Sequence, residues 1–109
     1  MTEERKNRTV KLIKKMAGFI KSRFKARQVI LFGSYACGRP GNDSDVDLMV
    51  ILNTRQKTTD KAADIKIAVD GKFGVLFPMD LIVKTPAQIN KRKKYDYFLQ
   101  DVLKEGVRL

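Results

Sequence analysis

The apolar positions of this chain repeat with two periods, one typical of helices and the other typical of strands. In residues 2–27 they recur every three or four positions, which predicts one amphipathic helix. The apolar positions of this stretch are Val10, Ile13, Met16, Ala17, Ile20 and Phe24. Residues 28–32, QVILF, are β-branched and aromatic and predict a short strand. Residues 45–52 predict a second strand, whose far end is apolar on both faces, as in a central strand covered on both sides.

The helical and strand periods of apolar positions also occur in the second half of the chain. A helix is predicted over residues 58–72, with Thr58 or Thr59 as its N-cap. A third strand is predicted over residues 75–85, starting irregularly or beginning just after Pro78. The sequence TPAQ at residues 85–88 combines a hydroxyl cap, a proline at the first helical position and a glutamine at the third, which indicates a helix start.

A last amphipathic helix is predicted over residues 95–105, with Gly106 as its C-terminal stop. Its predicted inward positions are Phe98, Leu99, Val102 and Leu103. Between the first two strands, residues 34–37 can begin a short helix, and the glycine- and proline-containing residues 38–44 predict a loop.

The connections between these elements constrain the topology. If the turn at Gly33 and Ser34 is to meet the start of the second strand, the first two strands run antiparallel. The helix between the second and third strands suits a parallel crossover. We therefore expect an α/β (α+β) fold with a mixed sheet of three to four strands covered by helices, in a single domain over residues 1–109.

Composition narrows the class of protein. The net charge of +11 is uneven, because residues 1–27 carry ten Lys/Arg and two acids, whereas residues 28–90 carry seven of each. Such basic ends suit nucleoside triphosphates, acidic partners or RNA, or else a solvated helix face. One cysteine precludes an internal disulfide, and no apolar run is long enough to span a membrane. The N-terminus lacks the apolar region of a secretory signal, so a cytoplasmic protein is expected.

Three carboxylates are the candidate chemistry. Asp45 and Asp47 lie two positions apart on one strand and therefore face the same side, and Asp80 on the third strand can join them. No lysine or arginine lies between Arg39 and Arg55 to compensate the first two. Because clustered carboxylates repel one another, a hard divalent cation such as Mg²⁺ is the expected ligand, and two ions would clamp a phosphoryl transfer. Zinc is disfavoured because the chain has no histidine.

Gly33 and Ser34 supply a candidate phosphate site beside these acids. Glycine permits close backbone approach, and a helix N-terminus just after a strand presents free N–H groups to a phosphate. The Ser34 hydroxyl adds a donor. A phosphate site beside a metal site fits a nucleoside triphosphate with Mg²⁺.

The ordered combination of Gly-Ser after a strand, Asp-x-Asp on the next and a third aspartate resembles the DNA polymerase β-like nucleotidyltransferase superfamily. The block LFGSYACG…SDVDLMVIL and the ending FLQDVLKEGVRL resemble its minimal nucleotidyltransferase (MNT) antitoxin family. The resemblance implies transfer of AMP from ATP, with Mg²⁺, to a hydroxyl such as a tyrosine of a cognate HEPN-domain toxin. It also implies that Asp45, Asp47 and Asp80 are catalytic and metal-binding, with Asp80 helping to deprotonate the acceptor, and that Gly33 and Ser34 bind the nucleotide.

The chain departs from the family pattern at one position. The family often has Gly-Ser-x-Ala-Arg-Gly, and Cys37 stands at the arginine position here. Arg39 is the candidate substitute. Cys37 itself is interpreted as a small packing residue rather than a nucleophile.

Two other functions stay open at the level of sequence. One is neutralisation of a HEPN toxin by binding alone, with a weak or vestigial nucleotide site. The other is nucleotidylation of a small antibiotic or of tRNA ends, which would need a partner or an oligomer to complete the pocket. The tyrosines at 35, 95 and 97 are interpreted as half-buried aromatics rather than self-modification sites, and the basic residues 91–94 as a solvated turn or a contact for an acidic partner or RNA.

Overall fold

The computed structural model describes residues 1–109 and contains four helices and four strands. In chain order these are α1 (Glu3–Phe24), β1 (Gln28–Phe32), β2 (Val46–Ile51), α2 (Thr58–Phe73), β3 (Met79–Lys84), α3 (Pro86–Arg92), α4 (Tyr97–Glu105) and β4 (Val107–Arg108). The strands form one sheet in the order β3-β2-β1-β4. None of the four helices combines the length and the apolar character needed to cross a bilayer.

The predicted strand directions are confirmed. β1 and β2 pair antiparallel, with Phe32 opposite Asp47. β2 and β3 pair parallel, with Asp47 opposite Asp80. The end of β1 and the starts of β2 and β3 therefore meet at one edge of a mixed sheet.

The alternating side chains of the strands divide the core into two layers. On one face, Val46, Leu48 and Val50 pack with the apolar stripes of α1 and α2. On the other face, Ile30 and Met49 pack under α4, with α3 contributing Ile89 at the margin. Asp47 lies between Val46 and Leu48 in sequence, so its side chain lies on the α3–α4 face of the sheet.

Most helix ends match the predicted cap chemistry, with three differences. Thr85 and Gln88 form the expected capping box of α3. The first helix ends before Lys25, whose φ of 55° is left-handed, rather than at residue 27. The second helix has no side-chain cap, because Lys57 rather than a threonine occupies the N-cap. The last helix begins at Tyr97 rather than 95, because the side chain of Asp96 accepts a hydrogen bond from the backbone N–H of Leu99 and fixes the start there.

The fourth strand follows directly from Gly106. This residue ends α4 as predicted, and its backbone comes so close to β1 that an added Cβ would lie 2.4 Å from Cγ2 of Ile30. The two residues after it then pair with Ile30 and Leu31 of β1. Both residues of β4 are exposed and the strand is very short, so no apolar period identifies it in the sequence.

We expect Gly18→Ala to stabilise the protein by about 0.5–1 kcal/mol, because glycine costs conformational entropy inside a helix. Gly18 lies within α1, and an added Cβ would meet nothing within 4 Å. Chemical denaturation followed by circular dichroism measures this change. A loss of stability would mean that another surface contacts α1 at Gly18 in solution, where this structure shows open space.

Candidate active site

Three aspartates lie at the sheet edge where β1 ends and β2 and β3 begin. Asp47 and Asp80 face each other in the parallel register. Asp45 directly precedes β2 and lies two positions before Asp47. Asp47 is half-buried, whereas Asp45 and Asp80 are exposed. The structure therefore brings all three predicted carboxylates to one edge, with Asp47 at the centre.

No cation of the chain compensates these carboxylates. The ion pairs of the structure join Lys6 to Glu3 and Lys66 to Asp70, and none involves the three aspartates. Lys66 lines the same groove as Asp45 and Asp80. Its ammonium group lies 2.7 Å from a carboxylate oxygen of Asp70, so its charge is already paired.

Asp47 is the residue whose protonation responds to this environment. Burial, followed by the charges of Asp80 and then Asp45, raises the pKa of the Asp47 carboxyl above its ordinary value. Desolvation and like charges both disfavour the ionised form, and a bound cation would reverse both effects.

The donors at this edge suit a hard divalent cation. Carboxylate oxygens are the ligands that Mg²⁺ prefers, and none of the soft or imidazole ligands typical of zinc is present among the three residues. No group of three or more acidic, histidine or cysteine side chains lies close enough together to hold a metal ion with the side chains as they stand. Asp45 and Asp80 are exposed at their strand starts, so neither side chain is held by packing. The metal-binding role of the three residues stays a prediction.

Gly33 is required by the position of Asp47. It follows β1 directly, with φ at +77°, a conformation that residues with a Cβ rarely adopt. An added Cβ would lie 2.2 Å from Oδ2 of Asp47. The absence of a side chain at residue 33 thus makes room for the central carboxylate next to the turn.

The short helix expected over residues 34–37 is wrong, because the chain forms a turn there. The backbone N–H groups of Ala36 and Cys37 both donate to the carbonyl of Gly33, at 3.1 and 3.2 Å, and no helix follows. The backbone N–H groups of Ser34 and Tyr35 donate to no protein acceptor. Free backbone N–H groups therefore lie beside the acids, on a turn rather than at a helix N-terminus, and their role in phosphate binding stays a prediction.

The interpretation of Cys37 as a packing residue is wrong. Its side chain is exposed, and its thiol donates to the carbonyl of Ser34 at 3.3 Å. The backbone N–H of Arg39 donates to the same carbonyl at 3.1 Å. These hydrogen bonds close the turn without the arginine that the family pattern has at residue 37. The side chain of Arg39 is exposed and forms no ion pair.

Two concave surfaces flank the aspartates. On the β3 side, Asp45 and Asp80 line a groove of about 500 Å³ with exposed Val75 and Leu76. On the β1 side, the turn and α4 enclose a cleft of about 250 Å³. Its lining comprises Phe32, Gly33, Ala36, Cys37, Phe98, Asp101, Val102, Glu105 and Gly106. Sequence reasoning missed this cleft, because its α4 residues are distant in sequence from the turn.

The aromatic side chains differ from their predicted burial. Tyr35 is buried, and its hydroxyl lies 4.0 Å from the sulfur of Met1. Tyr95 and Tyr97 are exposed rather than half-buried. Phe98, predicted to face inward, is 48% exposed and packs edge-to-face on Phe32 at the rim of the cleft.

We expect Asp47→Asn to raise the thermal midpoint of the metal-free protein at pH 7. The folded pKa of Asp47 is raised, so ionisation penalises the folded state. Below the pKa that the Asp47 carboxyl has in the unfolded chain, the carboxyl is protonated in both states and the penalty is absent. The penalty develops as the pH rises through the higher pKa that this carboxyl has in the folded chain. The gain should therefore vanish below about pH 3. Thermal melts across this range measure it, with Asp43→Asn on the exposed loop as control. An equal gain at acidic and neutral pH would contradict an ionisation effect.

Comparison with known proteins identifies the family. Residues 13–109 match the family model described as "Nucleotidyltransferase domain". A Methanocaldococcus jannaschii protein named "Putative protein adenylyltransferase" is 32% identical over 98 residues, which cover 88% of this chain and 92% of that protein.

Solved structures agree on the fold. One described as "Structure of putative minimal nucleotidyltransferase" superposes with a TM-score of 0.64 at 26% identity and covers 94% of both chains. A nucleotidyltransferase structure from Sulfolobus solfataricus, also described as putative, matches in fold, with a TM-score of 0.65 at 20% identity over 96% of this chain and 82% of that one. The family match spans nearly the whole described chain, and the chain therefore belongs to the nucleotidyltransferase domain family and is an enzyme of that class.

Proposed function

We propose that this chain transfers AMP from ATP, with Mg²⁺, to a protein hydroxyl, and that the acceptor is a tyrosine of a HEPN-domain toxin that the transfer silences. The observation that carries the catalytic part is the set of three aspartates without a cation, beside a turn with free backbone donors. The resemblance to minimal nucleotidyltransferases supports the toxin as partner.

Asp45, Asp47 and Asp80 are the residues that would hold the metal. Bound there, two Mg²⁺ ions would neutralise the triphosphate and stabilise the charge that develops on the attacking and leaving oxygens. Asp47 is central because it faces Asp80 across the register and lies two positions from Asp45. Its raised pKa is the energetic sign that this edge favours a cation.

The turn after β1 would orient the nucleotide. The free backbone N–H groups of Ser34 and Tyr35, with the Ser34 hydroxyl, can donate to the oxygens of the phosphates. Because Gly33 has no side chain, these donors and the Asp47 carboxylate can contact the same triphosphate. Fixed donors of this kind stabilise a phosphoryl transition state without reorganisation.

The transfer itself is an in-line displacement at the α-phosphorus. The acceptor oxygen forms a bond to this phosphorus while the bond to the bridging oxygen breaks, and pyrophosphate leaves with the electron pair. We assign the acceptor's proton to Asp80, whose carboxylate is exposed at the start of β3 and accessible to a docked hydroxyl.

A protein acceptor is supported by the relative from M. jannaschii, whose name describes a protein adenylyltransferase. The groove beside Asp45 and Asp80 is also open and partly apolar. An open groove suits a hydroxyl presented on the surface of another protein better than a small molecule that must be enclosed.

The test uses ATP labelled at either the α- or the γ-phosphorus. The purified chain is incubated with Mg²⁺ and the HEPN-domain product of the adjacent reading frame, and the acceptor is separated by gel. We expect label from the α position alone to reach the acceptor, and tyrosine to be the modified residue by mass spectrometry. Transfer of the γ label, or no transfer to a well-folded acceptor, would contradict the proposal.

A second candidate is neutralisation of the toxin by binding alone. It is favoured by Cys37 at the arginine position and by an Arg39 side chain that forms no ion pair. Co-expression with the toxin separates the two functions. If Asp45→Ala with Asp47→Ala still protects cells as well as the wild type does, binding alone is the function; loss of protection by a folded double variant supports catalysis.

A further inference from the structure

The end of α3, the connection to α4 and the first turn of α4 carry exposed aromatic side chains next to a run of cations. Tyr95 is 61% exposed, Tyr97 is 79% exposed and Phe98 is 48% exposed. Residues 91–94, Lys-Arg-Lys-Lys, are all exposed and directly precede them. We call residues 91–95, 97 and 98 the aromatic–basic corner. Exposed aromatic side chains that lie close together are more frequent at interaction surfaces than on the rest of a protein surface.

The charges of this corner have no partner within the chain. None of residues 91–94 forms an ion pair, since the ion pairs of the structure lie at Lys6 and Lys66. The neighbouring acid, Asp96, is engaged as the N-cap of α4. Four unpaired cations, two at the end of α3 and two on the connection that follows it, therefore present a field that attracts an acidic group from outside.

Local hydrogen bonds hold the corner in shape. The backbone N–H groups of Tyr95 and Asp96 donate to the carbonyl of Arg92, at 3.1 and 2.9 Å. The side-chain amide of Gln100 donates to the carbonyl of Lys93 at 2.8 Å. A surface that is already ordered loses less entropy on binding than a flexible loop does.

The corner is joined to the candidate active site by two aromatic rings. The centroids of Phe98 and Phe32 are 5.6 Å apart in an edge-to-face pair. Phe32 lies opposite Asp47 in the strand register and directly precedes Gly33. A partner bound at the corner therefore lies beside the turn after β1 and the Asp47 carboxylate.

The sign of the charge changes between the cations at residues 91–94 and the cleft-lining acids of α4, and this distinguishes partner classes. Beyond the cations of the corner, Asp101 and Glu105 follow Tyr97 at steps of four residues, and both line the cleft next to Gly33. A nucleic acid running from the corner into the cleft would bring its phosphates against these two carboxylates. A protein can instead present acidic groups to the corner and cationic groups to the cleft.

We propose that the aromatic–basic corner docks the acceptor protein through an acidic segment, while a cationic side chain near the acceptor hydroxyl enters the cleft between Asp101 and Glu105. This inference rests on the proposed protein adenylylation and names the chemistry by which the acceptor is chosen. The aromatic rings supply contact area, and the two opposite charges fix the direction in which the partner lies across α4.

The probes are three tyrosine peptides of identical composition and a single-stranded oligouridylate. Two are block peptides, with glutamates before the tyrosine and arginines after it or in the opposite order. In the third peptide the charges alternate. Binding is measured by fluorescence anisotropy. Lys93→Glu with Lys94→Glu reverses two of the four cations of residues 91–94, which removes the net positive charge of that run; we call this change the reversal of the corner. Lys14→Glu with Lys15→Glu on the exposed face of α1 is the control with the same change in net charge.

We expect one order of the block peptide to bind more tightly than the alternating peptide. Reversal of the corner should weaken that binding about tenfold, whereas the α1 control variant should weaken it by about threefold or less. Tyr97→Ala, which leaves the charge unchanged, should also weaken it about tenfold. Equal losses in both charge-reversed variants, or equal binding of all peptides, would overturn the proposal. Tighter binding of the oligouridylate, lost on reversal of the corner, would make this a nucleic-acid surface instead.

Transfer of label from ATP to the block peptides is measured in parallel. If transfer is unaffected by reversal of the corner, the proposed docking surface is contradicted and the proposed function still holds. If binding depends on the corner but no acceptor receives the label, the proposed function is contradicted and the corner is a protein-binding surface only.

Discussion

Asp47→Asn is expected to lower the rate of nucleotidyl transfer by about a thousandfold or more while leaving the fold intact. Asparagine keeps the shape of the side chain but removes the charge that lies between Asp45 and Asp80. Without it, a cation at this edge loses its central ligand and the triphosphate loses much of its charge neutralisation. The rate is measured with α-labelled ATP under single-turnover conditions, so that chemistry is separated from product release.

The matched control is Asp64→Asn, which also removes one carboxylate charge. Asp64 is exposed on α2, where its carboxylate accepts a hydrogen bond from Gln56, and it does not line either concave surface beside the aspartates. We expect its transfer rate to stay within about twofold of the wild type, because surface substitutions away from a site have small effects. A comparable loss in both variants would mean that overall charge, rather than the three aspartates, governs the reaction.

The second large effect is expected at Gly33. In Gly33→Ala, the new Cβ would meet Oδ2 of Asp47 at 2.2 Å, and the residue would also have to keep a φ of +77°. Either the carboxylate or the turn must move, so we expect transfer to fall about a hundredfold. The left-handed backbone should also lower stability by about 1–3 kcal/mol. Transfer assays and denaturant titration measure the two effects separately.

Gly18→Ala is the control for the glycine substitution, because an added Cβ there has open space around it. It should leave transfer unchanged while stabilising α1. If Gly33→Ala retained the wild-type rate, the close approach of the turn and Asp47 would have no role in the reaction, and the assignment of the phosphate site would fail.

The sheet and the placement of the aspartates could be predicted from sequence because they follow from short-range rules. Alternation along β2 places Asp45 and Asp47 on the same side, and the long α2 between β2 and β3 requires a parallel crossover. Those two facts bring Asp80 next to Asp47. No long-range packing information is needed for either step.

The turn after β1 could not be assigned in detail, because the composition of residues 34–37 suits both a helix start and a tight turn. Residues 34–37 have the composition of a helix start, but the carbonyl of Gly33 accepts from both Ala36 and Cys37 and the chain then turns away. The ammonium group of Lys6 on α1 also donates a hydrogen bond to the carbonyl of Gly38, in the loop that follows. Only the folded chain places Lys6 there.

The α4 surface was mispredicted for a related reason. An amphipathic period identifies Leu99 and Val102 correctly as buried, but it also assigns Phe98 to the core. In the fold, α4 covers only part of the sheet, so Phe98 lies at the rim with its ring against Phe32. The apolar pattern reports which side of a helix faces the sheet, whereas it does not report how far the sheet extends beneath it.

Calorimetric titration of ATP into the protein, with and without Mg²⁺, tests the central claim most directly. The claim is that the aspartate edge and the Gly33 turn together form a site for a metal-bound triphosphate. We expect saturable binding to the wild type that requires Mg²⁺ and is lost in Asp47→Asn. Binding that is indifferent to Mg²⁺ and to this substitution, or no binding by the wild type with Mg²⁺ present, would contradict it.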